Sequence, residues 1–176
     1  MAADLTFNTA SGAVIDRCLL ILYLNTGTDA APVWSAVGKR VEDSSMEYDW
    51  GEESKNDIFG KTYTTMKKPT ITQSFDPCEL DAEDIAQGKI WNMAVKDQDV
   101  AMLSNQDMLI VHCYAGTKDT DMFAERYKSC AIKPSSLGGS ANIGMPIDVT
   151  FGGDRLVGTA SVASGTVTFK ADGVTV

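Results

Sequence analysis

The chain has 176 residues, of which 24 are acidic and 15 basic, so its formal net charge is −9. Its 44% hydrophobic and 22% charged residues are ordinary for a globular protein and exclude wholesale disorder. The acidic balance also argues against ordinary DNA binding, which depends on Lys and Arg neutralising phosphates, although an acidic protein can lie beside nucleic acid without holding it. At this length we expect a single domain over residues 1–176, since domains most often contain about 100–150 residues.

The sequence shows no sign of insertion into a membrane or export across one. Its longest apolar run, Cys18–Leu24, is short beside the roughly 20 residues that a membrane-spanning helix needs. The stretch Met1–Thr9 is polar and acidic, whereas a secretory signal has a basic segment followed by an apolar one. We therefore expect no membrane association, and assembly in a reducing cytoplasm.

The cysteines are widely scattered and the chain has one histidine, so the closely spaced ligand pairs of a structural zinc site are absent from the sequence. A disulfide framework is not expected in a chain of this size without an export signal. We predict buried free thiols, because free cysteine behaves as a small buried hydrophobe, and we predict no metal or cofactor. The residues concerned are Cys18, Cys78, Cys113 and Cys130.

The N-terminal third is predicted to form β-strands. Ile15–Asn25 is rich in Ile, Leu and Tyr and ends at a turn-forming cluster. Its apolar residues occupy both parities, so we predict a strand that is covered on both faces. Val33–Val41 is a second strand candidate.

The next segment alternates in polarity, as a half-buried strand does. Met46, Tyr48 and Trp50 lie on one predicted face, and Glu47 and Asp49 lie on the other. A carboxylate stripe is therefore expected opposite an apolar stripe.

Glu42–Trp50 and Lys61–Phe75 are predicted to be the two arms of a long hairpin. The polar stretch Gly51–Lys61 between them is long for a hairpin connection. Its polar residues are flanked by Trp50 on one side and by Ile58-Phe59 on the other. Two interpretations are open: a loosely held hairpin tip, or a docking loop that becomes ordered on a neighbouring molecule.

One helix is predicted, over Pro77–Val95. Asp76 offers an N-cap acceptor, Pro77 occupies the first helical position, and Glu79 completes a capping-box pattern. Gly88 weakens the middle of this helix by about 1 kcal/mol relative to Ala.

The C-terminal half is predicted to form short strands between glycine-rich turns, with Gly152-Gly153-Asp154 as a tight hairpin connection. The fold class is therefore mainly β: a β-sandwich or barrel-like fold with one flanking α-helix and a long β-hairpin loop. Residues 1–14 and 170–176 are possible terminal arms. The predicted strands of this half are Met108–Tyr114, Met122–Lys133, Ala141–Phe151, Arg155–Ala163 and Thr166–Phe169.

No pattern in the sequence predicts catalysis. His112 is the one side chain that titrates near neutrality without perturbation, and its apolar surroundings predict a hydrogen-bonded strand residue. Its neighbour Cys113 is expected to point to the opposite face, which is poor geometry for a Cys–His pair. Nucleophile elbows, P-loops and dinucleotide fingerprints are absent, and the many carboxylates are expected to be solvated surface charge. We predict that the protein is not an enzyme.

The three tryptophans leave a second class of function open, a binding module. Trp34, Trp50 and Trp91 would serve as a carbohydrate platform if they shared a surface, although core or interface packing is the better prediction. The alternative function is therefore a receptor-binding or carbohydrate-binding β-sandwich module.

Several blocks of the chain, taken in their order and spacing, resemble one protein family. The first block is Trp34–Asp43 followed by Met46–Trp50, and the second is Asp57–Tyr63 leading to Lys68–Pro77. The third comprises Ala124–Tyr127, Ser136–Gly139, Met145–Val149, Gly152–Asp154 and Gly158-Thr159. Together they resemble the major tail tube proteins of long-tailed, siphovirus-type bacteriophages, over about Val33 to Phe169.

This resemblance implies a structural virion protein that forms hexameric rings. The rings would stack into a hollow, non-contractile tail tube around a tape measure protein, ended by tail terminator or tip proteins. DNA would pass through the lumen, without specific binding, during genome ejection. The expected location is the tail of the virion, after assembly in the host bacterial cytoplasm.

In that family the long hairpin loop and the terminal arms reach the adjacent ring. The resemblance also leaves the inner tube protein of a contractile tail as an alternative. Glu47 and Asp49 are a candidate acidic stripe for the lumen or an interface. The residues to which the resemblance assigns contacts between rings are Trp50, Gly51, Glu52, Glu53, Lys55, Asn56, Asp57 and Phe59.

Overall fold

The computed structural model describes residues 5–175, and its fold is mainly β, with 51% strand and 11% helix. This confirms the predicted fold class: a curled, barrel-like sheet with a flanking helix and a long hairpin. The strands are Leu20–Asn25 (β1), Trp34–Val37 (β2), Val41–Asp43 (β3), Met46–Asp49 (β4), Glu53–Asn56 (β5), Thr62–Thr65 (β6), Thr70–Cys78 (β7), Gln106–Thr117 (β8), Asp121–Pro134 (β9), Ile147–Phe151 (β10), Arg155–Ala163 (β11) and Thr166–Thr175 (β12).

Ten strands of the described chain form one sheet, and β5 and β6 form a separate two-stranded hairpin. The main path of the sheet runs β2-β1-β8-β9-β10-β7-β3; β4 also pairs with β7, and β11 pairs with both β9 and β12. Every pairing is antiparallel. The helical elements are a 3₁₀ turn at Arg17–Leu19, helix α1 at Ile85–Trp91, a π-helical segment at Asn92–Lys96 and helix α2 at Val100–Leu103.

The sheet is packed on both faces, because consecutive residues of its central strands enter two different cores. Leu22 and Leu24 of β1 lie in one buried cluster, which includes Ala86, Ile90 and Met93 from the helical region. The alternate residues of the same strand pack into a second cluster, with Ala160 and Val167 of β11 and β12. The prediction that this strand is covered on both faces is confirmed.

The predicted start of the helix was wrong. Strand β7 continues through Pro77 to Cys78, because its C-terminal part pairs with β3 in the register Val41↔Cys78. Helix α1 begins at Ile85 instead, where the Asp84 carboxylate accepts a hydrogen bond of 3.0 Å from the backbone N–H of Gln87. Sheet pairing therefore overrides a local capping pattern, and a second acidic residue further along the chain supplies the cap.

The predicted tight hairpin at Gly152-Gly153-Asp154 was also wrong. Strands β10 and β11 both pair with β9, at Thr150↔Ala131 and at Arg155↔Tyr127, so the chain keeps its direction across the glycines. A Cβ atom on Gly152 would lie 2.5 Å from the carbonyl oxygen of Ser129. The glycines thus allow the two backbones to approach closely at an irregularity within one long pairing.

The two segments predicted as arms lie against the sheet in their described parts. Phe7 forms an isolated bridge with Ala115, and the backbone N–H of Gly116 donates to the carbonyl of Thr6 at 3.0 Å. At the other end β12 pairs with β11 as far as Leu156↔Thr175. Residues 1–4 and 176 of the predicted arms lie outside the described residues.

All four cysteines are free. Cys78 and Cys130 are buried, as predicted, and burial raises the pKa of the Cys130 thiol to about 12. Cys113 is half-buried, and the prediction of burial was wrong for Cys18, which is exposed in the 3₁₀ turn that precedes β1.

Candidate functional site

The most prominent surface feature is the β5–β6 hairpin, which continues the hairpin formed by β4 and β7. The predicted arms are confirmed by the register from Met46↔Gln73 to Asp49↔Thr70. Beyond them the backbone N–H of Lys67 donates to the carbonyl of Trp50 at 2.9 Å. The stretch predicted as a polar loop contains a strand of its own, Glu53–Asn56, which pairs with β6 from Glu53↔Thr65 to Asn56↔Thr62.

This hairpin has no packed face, since every residue of β5 and β6 is exposed. Its polar contacts lie on the surface: Glu53 pairs with Lys67 at 3.0 Å and with Lys55 at 3.5 Å, and Thr62 donates to the Asn56 side chain at 2.9 Å. Exposed ion pairs of this kind contribute about 0–1 kcal/mol each. An isolated two-stranded hairpin is marginally stable in water, so a second surface would stabilise this one.

The tip of the hairpin is organised by the Asp57 carboxylate. Its Oδ1 atom accepts from the backbone N–H of Phe59 at 2.9 Å and of Lys61 at 2.8 Å, and its Oδ2 atom accepts from the Tyr63 hydroxyl at 3.2 Å. The hydrogen bond from Lys61 is the main cause that lowers the pKa of Asp57. The turn closes at Gly60, whose φ of +77° suits glycine.

These hydrogen bonds present two large apolar side chains to solvent at the end of the hairpin. Ile58 is 94% exposed and Phe59 is 87% exposed. The sequence pointed to Phe59 as an apolar anchor; Ile58 beside it belongs to the same tip, which we define as residues 57–61.

The base of the hairpin carries an aromatic pair. Tyr48 and Trp50 stack with ring centroids 6.3 Å apart, and both remain about half exposed. Gly51 follows with φ +52°, and its N–H donates to the Asp49 carboxylate at 2.9 Å. Glu52 precedes β5 and is exposed, so the predicted contact residues all lie on this one projecting element.

The predicted acidic stripe belongs to a larger acidic face of the sheet. Residues directly opposite each other in an antiparallel pair point to the same face. By this rule Glu47 and Asp49 share a face with Thr72 and Thr70, and the register extends that face across β3, β7, β10 and the end of β9. We define the acidic sheet face as Asp43, Glu47, Asp49, Thr70, Thr72, Ser74, Asp76, Lys133, Asp148 and Thr150.

The acidic sheet face carries five carboxylates and one lysine. Lys133 pairs with Asp148 at 3.1 Å, while Asp43 lies directly opposite Asp76 in the strand register. Like charges in that position destabilise a sheet, so this pair is not explained by stability. Sequence parity found Glu47 and Asp49. Asp43 lies on the preceding strand β3, whereas Asp76 and Asp148 come from strands that are distant in the sequence and join this face through the register.

A buried polar cluster lies on the inner face of β8, β9 and β11. The Glu125 carboxylate accepts from His112 Nε2 at 3.0 Å, from the Tyr127 hydroxyl at 2.9 Å and from Arg155 Nε at 2.6 Å. Nδ1 of the same histidine lies 2.8 Å from the Tyr114 hydroxyl. Burial alone would raise the pKa of Glu125, but the hydrogen bonds from His112 and Arg155 outweigh it and lower this pKa to about 2.

His112 lies in β8 with both ring nitrogens within hydrogen-bond distance of a neighbour, which confirms the prediction of a hydrogen-bonded strand residue. Cys113 packs with the second core cluster, on the other face of the sheet. Burial and the Glu125 charge raise the pKa of Tyr127. The glutamate thus has its hydrogen-bonding capacity occupied by neighbouring protein groups.

The three tryptophans do not share a surface. Trp34 is buried in the second core cluster with Arg126 over its ring at 5.3 Å, and Trp91 packs against the first cluster. Trp50 is the exposed one of the three, at the base of the hairpin. A platform built from all three is therefore excluded by their placement.

Residues 5–175 contain no group of three or more His, Cys, Asp or Glu side chains placed to hold a metal ion. Among the same residues, no helix has the length and apolar character needed to cross a membrane.

Solved structures that are similar to this chain include the following three. One is a chain from the cryo-EM structure of the sheath–tube complex of an extracellular contractile injection system, PVC, in the extended state. Its sequence identity is 10%, the alignment covers 92% of this chain and 94% of that chain, and the TM-score is 0.47. A second is from the anti-feeding prophage cap, described as the AFP tube terminating cap, with 12% identity, coverage of 93% and 95%, and a TM-score of 0.45. The third is from the PVC sheath/tube terminator in the extended state, with 10% identity, coverage of 84% and 99%, and a TM-score of 0.48. No protein-family model and no curated protein sequence matches the chain.

Proposed function

We propose that this protein is the structural subunit of a bacteriophage tail tube. Copies form hexameric rings that stack into a hollow, non-contractile tube around a tape measure protein, and tail terminator or tip proteins end the tube. The protein assembles in the host cytoplasm, resides in the virion tail and has no catalytic role. The observation that carries the proposal is the exposed, coreless hairpin with its apolar tip, which occurs within the sequence blocks that resemble tail tube proteins.

The hairpin supports assembly on energetic grounds. Fully burying one large apolar side chain contributes about 1.5–3 kcal/mol, and the tip exposes two of them, Ile58 and Phe59. A hairpin without a packed face gains further from a surface that holds both strands. Repeated in every ring, such a contact stabilises a stack of rings.

The acidic sheet face is the proposed wall of the lumen. With five carboxylates and Lys133 its formal charge is −4, and six copies of the whole chain, at −9 each, carry −54. A wall of this sign repels phosphates and so avoids the salt-dependent adhesion that lysines and arginines would cause. DNA can then slide past during ejection without being bound.

Electron microscopy of purified protein tests the proposal, and rings or tubes are the expected result. Replacing Glu52–Asp57 with a Gly-Ser sequence should leave the monomer folded, by circular dichroism, but prevent tubes. Lys118→Ser, in the exposed turn between β8 and β9, is the control and should assemble normally. A monomer at every concentration, with no rings or tubes, would refute the function.

Tails isolated from virions decide between the two kinds of tail, because the purified protein lacks a sheath in either case. Bare tubes are expected for a non-contractile tail. A sheath protein that is encoded in a neighbouring reading frame and coats the tubes would instead identify the inner tube of a contractile tail.

A further inference from the structure

We propose that the hairpin tip of one copy docks into a groove on a second copy, formed between β1, β2, β7 and the start of α1. We call it the β1–β2 groove. This inference rests on the proposed function, because it names the surface that receives the hairpin when copies associate.

The β1–β2 groove has the size and lining to receive the tip. Its volume is about 740 Å³. Leu22, Val37 and Phe75 are buried at its floor, while Val41 is half-buried and Ile85, at the first position of α1, is 67% exposed. An apolar floor with an exposed isoleucine at its margin is complementary to Ile58 and Phe59.

The charges of the groove and the hairpin are opposite. The groove is lined by four carboxylates and two bases, so its formal charge is −2. Its two bases are already occupied: Lys39 pairs with Asp81 at 3.0 Å, and Arg17 donates to the carbonyls of Ser44 and Leu20. Glu42 and Glu83, by contrast, have no ion-pair partner within residues 5–175. The four carboxylates are Asp16, Glu42, Glu83 and Asp84.

The hairpin is cationic within an acidic chain. Residues 51–68 contain four lysines and three acids, a net charge of +1, which leaves −10 for the remainder of the chain. Lys61, the last residue of the tip, has no carboxylate within ion-pair distance of its ammonium group in the described part of the chain. When Ile58 and Phe59 enter the groove, Lys61 meets the rim that carries Glu42 and Glu83.

Two other grooves suit the tip less well. The groove between α2 and β9 has Lys133 as its one charged lining residue and so offers no carboxylate to Lys61. The groove on the other side of α1 includes Asp81 and Glu79, but Asp81 already binds both Lys39 and Arg40, at 3.0 and 2.9 Å, and Glu79 accepts a hydrogen bond from Asn142 at 3.0 Å. Of the three, the β1–β2 groove offers carboxylates, Glu42 and Glu83, whose side chains have neither an ion-pair nor a hydrogen-bond partner within residues 5–175.

The placement of tip and groove makes the contact head-to-tail. The hairpin leaves the sheet at the Thr70 end of β7, whereas the groove includes Phe75 and the α1 start that follow further along the chain. The exposure of Ile58 and Phe59 shows that the tip does not occupy the groove of its own chain. A contact between two different surfaces repeats from copy to copy, as a closed or stacked assembly requires.

Cys18 gives a direct test, because this exposed cysteine lines the groove. In assembled Thr62→Cys protein, whose new thiol lies on the exposed strand beside the tip, a short bismaleimide should join Cys18 of one copy to the new thiol of another and yield a ladder of covalent multimers. The ladder should disappear in the Thr62→Cys, Cys18→Ser variant and should be absent from the wild type and from Lys118→Cys. Tubes without a ladder would overturn the groove assignment while leaving the proposed function intact.

A charge exchange tests the rim independently. Lys61→Glu and Glu83→Lys should each raise the protein concentration needed for assembly at least tenfold at low salt, and the double variant should recover most of that loss. If the single variants assemble like the wild type, or the double variant does not recover, the proposed pairing is wrong. If neither the wild type nor any variant assembles, the proposed function fails together with this inference.

Discussion

The buried carboxylate of Glu125 should make the stability of the monomer depend on pH. Its pKa lies at about 2, against an ordinary value of 4.5, because His112 and Arg155 hold the ionised form. A lowered pKa in the folded state contributes stability that is fully present above pH 4.5 and is lost as the pH falls through about 2. The contribution of Glu125 to the free energy of unfolding should therefore be lost between pH 5 and pH 2.

The size of the effect follows from the shift. Each pKa unit corresponds to 1.36 kcal/mol, so a shift of about 2.5 units contributes about 3 kcal/mol to the free energy of unfolding at neutral pH. For a chain of this length, 1 kcal/mol shifts the melting temperature by roughly 2–4 °C. The glutamate should therefore contribute about 6–12 °C at pH 7.

Urea unfolding of Glu125→Gln and wild type, followed by tryptophan fluorescence below the concentration of assembly, measures this contribution. The difference in unfolding free energy between the two proteins should shrink by about 3 kcal/mol between pH 6 and pH 2. Asp148→Asn is the matched control: its carboxylate pairs with Lys133 on the exposed sheet surface, so its effect should stay below about 1 kcal/mol. A Glu125→Gln deficit that is the same at pH 6 and pH 3 would refute the electrostatic account and leave only a packing defect.

Two further predictions concern packing and backbone. Leu24→Ala should lower the free energy of unfolding by about 2–5 kcal/mol in a urea titration, because Leu24 is fully buried. Val14→Ala, at an exposed position, is the control and should change this free energy by less than about 0.5 kcal/mol. Equal effects of the two substitutions would contradict the assigned core. Gly88→Ala should raise the melting temperature, since a Cβ atom there meets nothing within 4 Å and alanine favours a helix by about 1 kcal/mol relative to glycine. Gly158→Ala should lower the melting temperature, since its Cβ atom would lie 2.1 Å from the carbonyl oxygen of Lys170. A stabilising Gly158→Ala substitution would show that the β11–β12 pairing is misplaced.

The strands were predictable where periodicity and burial agree. The apolar run at Leu20–Asn25 occupies both parities, and both faces of β1 are indeed covered. The arms of the long hairpin were predictable for a similar reason, because alternation at Met46–Trp50 and β-branched residues after Lys61 both favour extended backbone. Local composition decides whether a segment is a strand when the rest of the fold does not oppose it.

The sequence-based predictions were wrong where a strand that is distant in the sequence pairs with the segment and determines its conformation. Asp76-Pro77 has the composition of a helix start, but β3 pairs with this segment and holds it in the sheet. Gly152-Gly153 has the composition of a hairpin turn, but β9 is long enough to pair with the strands on both sides of it. Neither partner can be recognised from the residues near the glycines or the proline.

The distinction between local and distant contacts also applies to the two parts of the candidate site, the hairpin and the acidic sheet face. The hairpin is a local feature, so Trp50 and Phe59 were identified from neighbouring residues, and only the ordering of the tip by Asp57 required the structure. The acidic sheet face is mostly non-local: Asp76 and Asp148, which are distant in the sequence, join Glu47 and Asp49 only through the register of β7 and β10. Clustered like charge is costly in a monomer, and this fold places it on the opposite side of β7 from the first core cluster, away from Ile71 and Phe75. The buried polar cluster differs from this exposed face, because both carboxylate oxygens of Glu125 accept hydrogen bonds from neighbouring side chains. Charge is thus neutralised around Glu125 and left unbalanced on the acidic sheet face, and this contrast is what the proposed lumen wall requires.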